Sequence, residues 1–263
     1  MSVRSYLRNL ASDLYISRSG DEYDSIERSV DTIERRLKRY FESKMEEGIR
    51  FGSSTRGTML PRAADPKSDV DYMVIFKNED DYKPQSLVKR LKRFANTYYT
   101  QSEIRQSHPT VVLELNHIMF DLVPAYRDWF SGLQIPAPKS NFEEWTSTDP
   151  KGFNDKLVRA NKNNDYELKP TVRLIKYWNA QNDYVYESFK LEKELASASY
   201  LFKNNKWDYF KAGMESLPTW RLPDYKKRKV KRAQRLIDKI KSALYSNNTS
   251  GAESKLQRLL PSF

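Results

Sequence analysis

The chain has 263 residues, with 46 lysines and arginines against 35 aspartates and glutamates, which gives a formal net charge of +11. It contains no cysteine and two histidines, so the composition excludes disulfides, thiolate zinc sites and an imidazole metal cluster. No apolar run approaches the ~20 residues of a membrane span, and the N-terminus lacks the apolar core of a signal peptide. We therefore expect a cytoplasmic protein with no membrane partner.

The first element predicted is a long helix over residues 21–45. Apolar side chains recur there at spacings of three and four, which is typical of an amphipathic helix. The apolar stripe consists of Tyr23, Ile26, Val30, Ile33, Leu37, Phe41 and Met45.

The next elements carry a small-residue turn and two carboxylates. The segment FGSSTRGT at 51–58 places Gly52 and Ser53 at a tight turn, where backbone N–H groups and a hydroxyl are free for anions. A polar loop follows, in which residues 64–67 are expected to bulge outward. The run SDVDYMVIF at 68–76 then predicts a strand with Asp69 and Asp71 on one face, because successive side chains alternate.

A third aspartate follows in a predicted hairpin. After an amphipathic helix over 87–98, the sequence predicts strands over 110–115 and 118–123, joined through Asn116 and His117. Asp121 lies in the second strand, where an unpaired carboxylate would be costly. Three carboxylates on strands supply only oxygen ligands, which fit Mg²⁺ bound together with nucleotide phosphates.

The second half of the chain is predicted to be helical. Prolines and small polar residues mark an irregular connection over 134–149, after which apolar faces recur. Helices are expected over 157–163, 171–181, 191–202 and 233–245, and residues 246–251 are expected to form a flexible linker to a short tail. The fold class is therefore α/β (α+β), with a mixed-sheet lobe over 1–135 and an α-helical lobe over 136–263.

The ordered set of motifs resembles the signature of the polymerase-beta-like nucleotidyltransferases, which is Gly-Ser, Asp-x-Asp and a distant third carboxylate. The closer resemblance is to the cyclic GMP-AMP synthase/DncV-like branch, the bacterial CD-NTases that make cyclic oligonucleotide signals in CBASS anti-phage defence. It runs from about residue 51 to 196. The matching segments are Gly52-Ser53, Arg56-Gly57-Thr58, Ser68-Asp69-Val70-Asp71, Phe120 to Ala125, Leu174 to Asn179 and Ser188 to Glu192.

The resemblance implies a fold, an activity and a set of roles. The long N-terminal helix would be the spine of a two-lobed nucleotidyltransferase with its active cleft between the lobes. Asp69, Asp71 and Asp121 would be catalytic and would hold two Mg²⁺ ions, which Mn²⁺ could replace. Gly52, Ser53, Lys176, Ser188 and Phe189 would bind the NTP substrates, with Lys176 on the triphosphate and Phe189 on the base. An effector protein would receive the cyclic product.

A basic segment near the C-terminus predicts a further partner. Residues 221–241 contain ten lysines and arginines against two aspartates. Such a run is typical of a nucleic-acid surface that neutralises phosphates, although a solvated helix face has the same composition. The candidate contacts to an RNA or DNA activator, RNA being preferred, are Lys226, Lys227, Arg228, Lys229, Lys231 and Arg232.

Two other functions remain open. A template-independent transferase that adds nucleotides to RNA would use the same catalytic lobe with a different acceptor. A nucleic-acid-binding relative without activity would keep only the fold. The presence of all three aspartates makes this the least favoured of the three functions.

Overall fold

The computed structural model describes residues 2–77, 82–107, 110–130, 132–137 and 144–263, so His108 lies outside the described residues. The helices are α1 (Val3–Asp13), α2 (Asp21–Phe41), α3 (Ser53–Arg56), α4 (Pro84–Tyr98), α5 (Pro150–Asn163), α6 (Leu168–Gln181), α7 (Ser188–Ser197), α8 (Lys206–Ser216), α9 (Asp224–Tyr245) and α10 (Thr249–Leu259). The strands are β1 (Met45–Phe51), β2 (Asp69–Phe76), β3 (Glu103–Ser107), β4 (Thr110–Glu114), β5 (Met119–Asp128), β6 (Gly132–Pro136) and β7 (Trp145–Ser147). None of the helices in the described ranges has both the length and the hydropathy needed to cross a membrane.

The strands form one mixed sheet, which confirms the predicted fold class. Its main path runs β1-β2-β5-β4-β3, with β6 pairing β5 and β7 pairing β6. Strands β2 and β5 are parallel, whereas the other pairs are antiparallel. The predicted hairpin between β4 and β5 is confirmed, with Leu113 opposite Phe120.

The chain divides into two compact units that differ from the contiguous lobes expected from the sequence. The sheet unit comprises residues 17–56 and 67–154, and the helical unit comprises 1–16, 57–66 and 155–263. The first helix joins the helical unit because its apolar side, including Leu7 and Leu10, is part of the same buried cluster as Val172 and Phe210. Sequence periodicity assigns a helix its apolar face, but not the partner that covers that face.

The core of the sheet unit lies between β2 and two helices. The side chains of β2 that alternate with the aspartates are fully buried, as predicted. Phe76 of β2 contacts Phe41 of α2 edge to face, with ring centroids 4.9 Å apart, and Phe41 in turn lies 5.9 Å from Phe94 of α4. Such aromatic contacts add to the free energy gained by burial. On the opposite face of β2, Met73 and Ile75 are also buried, in a small apolar cluster with Ala125, so only the N-terminal part of that face carries the aspartates.

Three predictions about local structure were wrong. The long helix ends at Phe41, because Glu42 has a φ of 49° and Met45 already begins β1. The expected irregular connection over 134–149 includes β6 and β7. The expected flexible linker over 246–251 already contains the start of α10, whose first turn is capped where the side chain of Asn248 accepts a hydrogen bond from the backbone of Gly251.

The loop over residues 64–67 bulges outward only in its second half, at the exposed Pro66 and Lys67. Ala64 is fully buried and Asp65 nearly so, and the Tyr184 hydroxyl donates a 2.6 Å hydrogen bond to Asp65. Both residues belong to the helical unit. Asp65 is therefore held by a hydrogen bond within the protein, and only Pro66 and Lys67 of this loop face solvent.

Candidate active site

The three aspartates lie on one face of the sheet. In the parallel pairing of β2 with β5, Asp71 is the register partner of Asp121, and Asp69 pairs with Met119. Register partners on neighbouring strands project to the same side, and Asp69 precedes Asp71 by the two-residue period of a strand. The structure thus brings Asp121 beside the Asp-x-Asp motif, although some fifty residues separate them in sequence.

Gly52 lies directly under one of these carboxylates. A Cβ built at Gly52 would be 1.7 Å from Oδ2 of Asp71, far inside van der Waals contact. The residue also has a φ of +74°, in the left-handed region that favours glycine. A glycine is therefore required at this position both for the turn and for the placement of Asp71.

The residues after Gly52 form a short hydrogen-bonded turn. The hydroxyl of Ser54 donates to the Phe51 carbonyl at 3.1 Å, and that of Thr55 donates to the Gly52 carbonyl at 3.0 Å. The half-buried hydroxyl of Ser53 makes no hydrogen bond with any residue that the structure describes. Ser53 can therefore turn its hydroxyl toward a bound anion without breaking the turn.

Asp121 lies in partly buried surroundings that change its pKa. Burial raises the pKa of Asp121, while a hydrogen bond from Thr110 and the charge of Arg105 act in the opposite direction. The Thr110 hydroxyl donates to Oδ2 of Asp121 at 3.3 Å. A carboxylate in such surroundings gains from a nearby cation, because the cation offsets the desolvation of the charge.

The side-chain chemistry fits a hard divalent cation. Within the described ranges no three His, Asp or Glu side chains converge closely enough to form a preassembled metal site. The donor set nevertheless consists of carboxylates only, which Mg²⁺ prefers, and strand register puts Asp69, Asp71 and Asp121 on one face. The fit of this face to Mg²⁺ thus rests on the type of ligand atom that the aspartates supply and on the register of β2 and β5.

A cavity of about 540 Å³ adjoins this face, and no pattern in the sequence predicts it. Phe51, the register partner of Asp71 across β1 and β2, forms part of its wall. Charged and amide groups also line it, including Glu47, Arg127, Lys151 and Asn154. Its volume lies within the roughly 300–1,000 Å³ usual for small-molecule pockets.

Lys176 occupies a different environment from the one expected. Its side chain is only 7% exposed, and its ammonium forms a 3.1 Å ion pair with Glu192, whose side chain is 1% exposed. The Thr58 hydroxyl donates to the same oxygen of Glu192 at 2.8 Å. The charge of Lys176 is therefore already compensated within the helical unit, which favours a positioning role over a direct phosphate contact.

Ser188 and Phe189 begin α7 at the surface of the helical unit. Both are exposed, and the ring of Phe189 is 46% exposed. An exposed aromatic ring is available to stack on a base, whereas a core residue is not. The assignment of Ser188 and Phe189 to nucleotide binding stays a prediction.

The basic segment divides into anchored and exposed residues of α9. Lys226 donates to the carbonyls of Tyr184 and Val185 at 2.8 and 2.9 Å, and Lys229 donates to the Asn182 carbonyl at 2.9 Å. Lys227 is half-buried and lies 3.5 Å from Asp224. The exposed members, which form no ion pair with a described residue, are Arg228, Lys231 and Arg232.

The sequence and the structure are both similar to those of known nucleotide second-messenger synthases. Residues 1–161 match the Second Messenger Oligonucleotide or Dinucleotide Synthetase domain, SMODS. A cyclic AMP-AMP-AMP synthase from Acinetobacter sp. is 27% identical over 117 residues, which are 44% of this chain and 33% of that protein. A probable cyclic nucleotide synthase from Bacillus cereus is 25% identical over 206 residues, which are 63% of this chain and 56% of that protein. The chain thus spans about a third to a half of the length of these relatives.

Among solved structures, the Vibrio cholerae DncV cyclic AMP-GMP synthase in complex with nonhydrolyzable GTP superimposes with a TM-score of 0.76. The match covers 98% of this chain and 95% of that one at 14% identity, so it shows the fold alone. The fold is the polymerase-beta-like fold of the CD-NTases. Because the matched domain covers more than half of its residues, the chain belongs to the SMODS family, the Second Messenger Oligonucleotide or Dinucleotide Synthetases.

Proposed function

We propose that this protein joins NTPs into a cyclic di- or oligonucleotide. The observation that carries the proposal is the register of β2 and β5, which places Asp71 beside Asp121 with Asp69 on the same face. The close approach of Gly52 to Asp71 supports it as well, and Ser53 follows Gly52 directly in the chain. One relative, which this chain matches across 33% of that protein's length, is named a cyclic AMP-AMP-AMP synthase, and this name supports the type of product.

The reaction would transfer a nucleotidyl group to a ribose hydroxyl. The hydroxyl oxygen forms a bond with the α-phosphorus of an NTP, the bond from that phosphorus to the β-phosphate bridging oxygen breaks, and pyrophosphate leaves while the hydroxyl loses its proton. Each further transfer adds one nucleotide in the same way, and in the last one a hydroxyl of the linear intermediate attacks the α-phosphorus of its own 5′-triphosphate, which releases pyrophosphate and closes the ring. Two Mg²⁺ ions, or Mn²⁺ in their place, would lower the pKa of the hydroxyl and stabilise the charge on pyrophosphate.

The chain's own residues would position the reactants. Asp69 and Asp71 would hold the cation on the triphosphate, and Asp121 would join them around the second cation. The Ser53 hydroxyl would donate to a phosphate oxygen. The cavity beside Phe51 would accommodate a nucleoside, because its volume and its mixture of apolar and polar walls suit one. Correct placement of the reacting groups is expected to supply much of the rate enhancement.

The signal would serve anti-phage defence in the cytoplasm, where an effector protein would bind the cyclic product. A nucleic acid, with RNA as the preferred form, would activate synthesis through the basic segment. The support for activation by a nucleic acid is the exposure of Arg228, Lys231 and Arg232 on α9.

The deciding experiment incubates the full chain with radiolabelled NTPs and Mg²⁺, with and without RNA. We expect a small product that resists phosphatase, and we expect Asp71→Asn with Asp121→Asn to abolish it. Asp31→Asn, an exposed carboxylate on α2, serves as the control and should retain activity. Extension of the RNA would indicate the template-independent transferase that adds nucleotides to RNA. The absence of turnover in every condition would indicate a relative that only binds nucleic acid.

A further inference from the structure

A second cavity lies in the helical unit, between α6, α9 and the C-terminal end of α10. It measures about 190 Å³, and its walls include Trp178, Gln181 and Asn182 on one side. The other side carries Arg232 of α9 and Arg258 of α10, with Lys229 beside them. Among the described residues that line it there is no aspartate or glutamate.

The three positively charged side chains that line this cavity differ in whether a negative charge of the protein is paired with them. Lys229 is held by the Asn182 carbonyl at 2.9 Å and by an ion pair with Asp183 at 2.5 Å. Arg232 and Arg258 are exposed, and neither forms an ion pair within the described part of the chain. Two guanidinium groups from separate helices thus face one cavity, where their mutual repulsion favours the entry of an anion.

We propose that this cavity binds a phosphate or diphosphate group. Guanidinium donors match the geometry of phosphoryl oxygens in a bidentate manner, and here two of them approach from different helices. The amide groups of Gln181 and Asn182 add polar surface to the opposite wall. At about 190 Å³ the cavity is smaller than the roughly 300 Å³ at which small-molecule pockets begin, so it suits a phosphoryl group better than a whole nucleoside.

The same chemistry is presented by a free anion and by an RNA backbone, and the small volume favours the free anion. The anchoring of Lys229 supports this choice, because it keeps one side of the cavity fixed before a ligand arrives. A preformed site loses less entropy on binding a small ion than a mobile surface does.

The test measures binding of inorganic pyrophosphate to the full chain by calorimetry, in EDTA so that no divalent cation supports binding to carboxylates. Arg232→Gln with Arg258→Gln should weaken the affinity by at least about tenfold, since charge-assisted hydrogen bonds to the anion are lost. The control is Arg235→Gln with Lys239→Gln, two exposed cations of α9 that do not line the cavity. It removes the same net charge and should leave the affinity nearly unchanged.

A parallel titration with a short single-stranded RNA separates the two sources of phosphate. Binding of pyrophosphate that depends on Arg232 and Arg258 supports the proposal. Equal losses in both variants would show that general surface charge is responsible, and would overturn it. The proposal would also be overturned if the protein bound RNA but not pyrophosphate, or if neither variant changed the binding of pyrophosphate. Circular dichroism shows in each case whether the variants are folded.

Discussion

The carboxylate of Asp71 occupies the space that a side chain at residue 52 would need, with Oδ2 only 1.7 Å from the ideal Cβ position. The Gly-Ser turn and the Asp-x-Asp strand are therefore one structural unit, and neither can shift without the other. This contact explains in physical terms why a glycine precedes the serine here.

We predict that Gly52→Ala lowers turnover by about a hundredfold, because displacement of a reacting group by an ångström can cost that much. The matched control is Gly132→Ala, which has the same φ of +74° but nothing within 4 Å of the added Cβ. Both variants should lose about 1–2 kcal/mol of stability from left-handed strain. Only Gly52→Ala should lose activity beyond its change in stability. Equal activities in the two variants would show that the contact with Asp71 does not matter.

The sheet that carries the three aspartates was more predictable from the sequence than the division of the chain into two units. Alternation in β2 predicted which side chains face the core, and apolar periodicity predicted α2 and α4. The buried ion pair of Lys176 was not predictable, because Glu192 lies on another helix and sequence spacing cannot reveal such a partner. The same reason explains why Lys226 was assigned to nucleic acid, whereas its ammonium donates to two carbonyls of the chain.

We predict that Thr110→Val shifts the acid limb of the activity profile to higher pH. The hydrogen bond from Thr110 lowers the pKa of Asp121, and its loss leaves the effect of burial, which raises that pKa, less opposed. Protonated Asp121 cannot bind a cation, so a higher pH is then needed for activity. Thr110→Ser should restore the wild-type profile. A uniform loss of rate at every pH would assign Thr110 a role in packing instead.

The same burial predicts how Asp121 affects stability. A carboxyl group whose pKa is raised on folding contributes no penalty below its ordinary pKa of 3.8, and it destabilises the fold as pH rises through the raised value. In metal-free buffer Asp121→Asn should therefore have a higher Tm than the wild type at pH 7, and the difference should shrink toward pH 3.5. Thermal unfolding at several pH values measures it, and a lower Tm at pH 7 would contradict the sign.

The buried pair of Lys176 and Glu192 should behave as a structural unit. Lys176→Met or Glu192→Leu alone leaves one buried group without its partner, which costs about 3–5 kcal/mol for a buried ion pair. The double variant Lys176→Met with Glu192→Leu should lose less than the sum of the two single changes. Denaturant unfolding gives these values, and NTP titration of the folded variants provides the second readout. If Lys176→Met weakens NTP binding without loss of stability, Lys176 contacts the triphosphate directly.

The last prediction separates the two kinds of lysine and arginine on α9. Arg228→Ala with Lys231→Ala removes two exposed charges, so RNA affinity should fall for all sequences alike. The slope of log affinity against log salt should decrease by about 0.7 per lost contact on single-stranded RNA. Lys226→Met with Lys229→Met instead removes hydrogen bonds to residues 182–185, so its main effect should be on stability. Fluorescence anisotropy over a range of KCl concentrations, together with thermal unfolding, measures both effects. An unchanged salt slope in the first variant would show that the exposed face of α9 is a solvated surface that keeps a basic protein in solution and does not bind RNA.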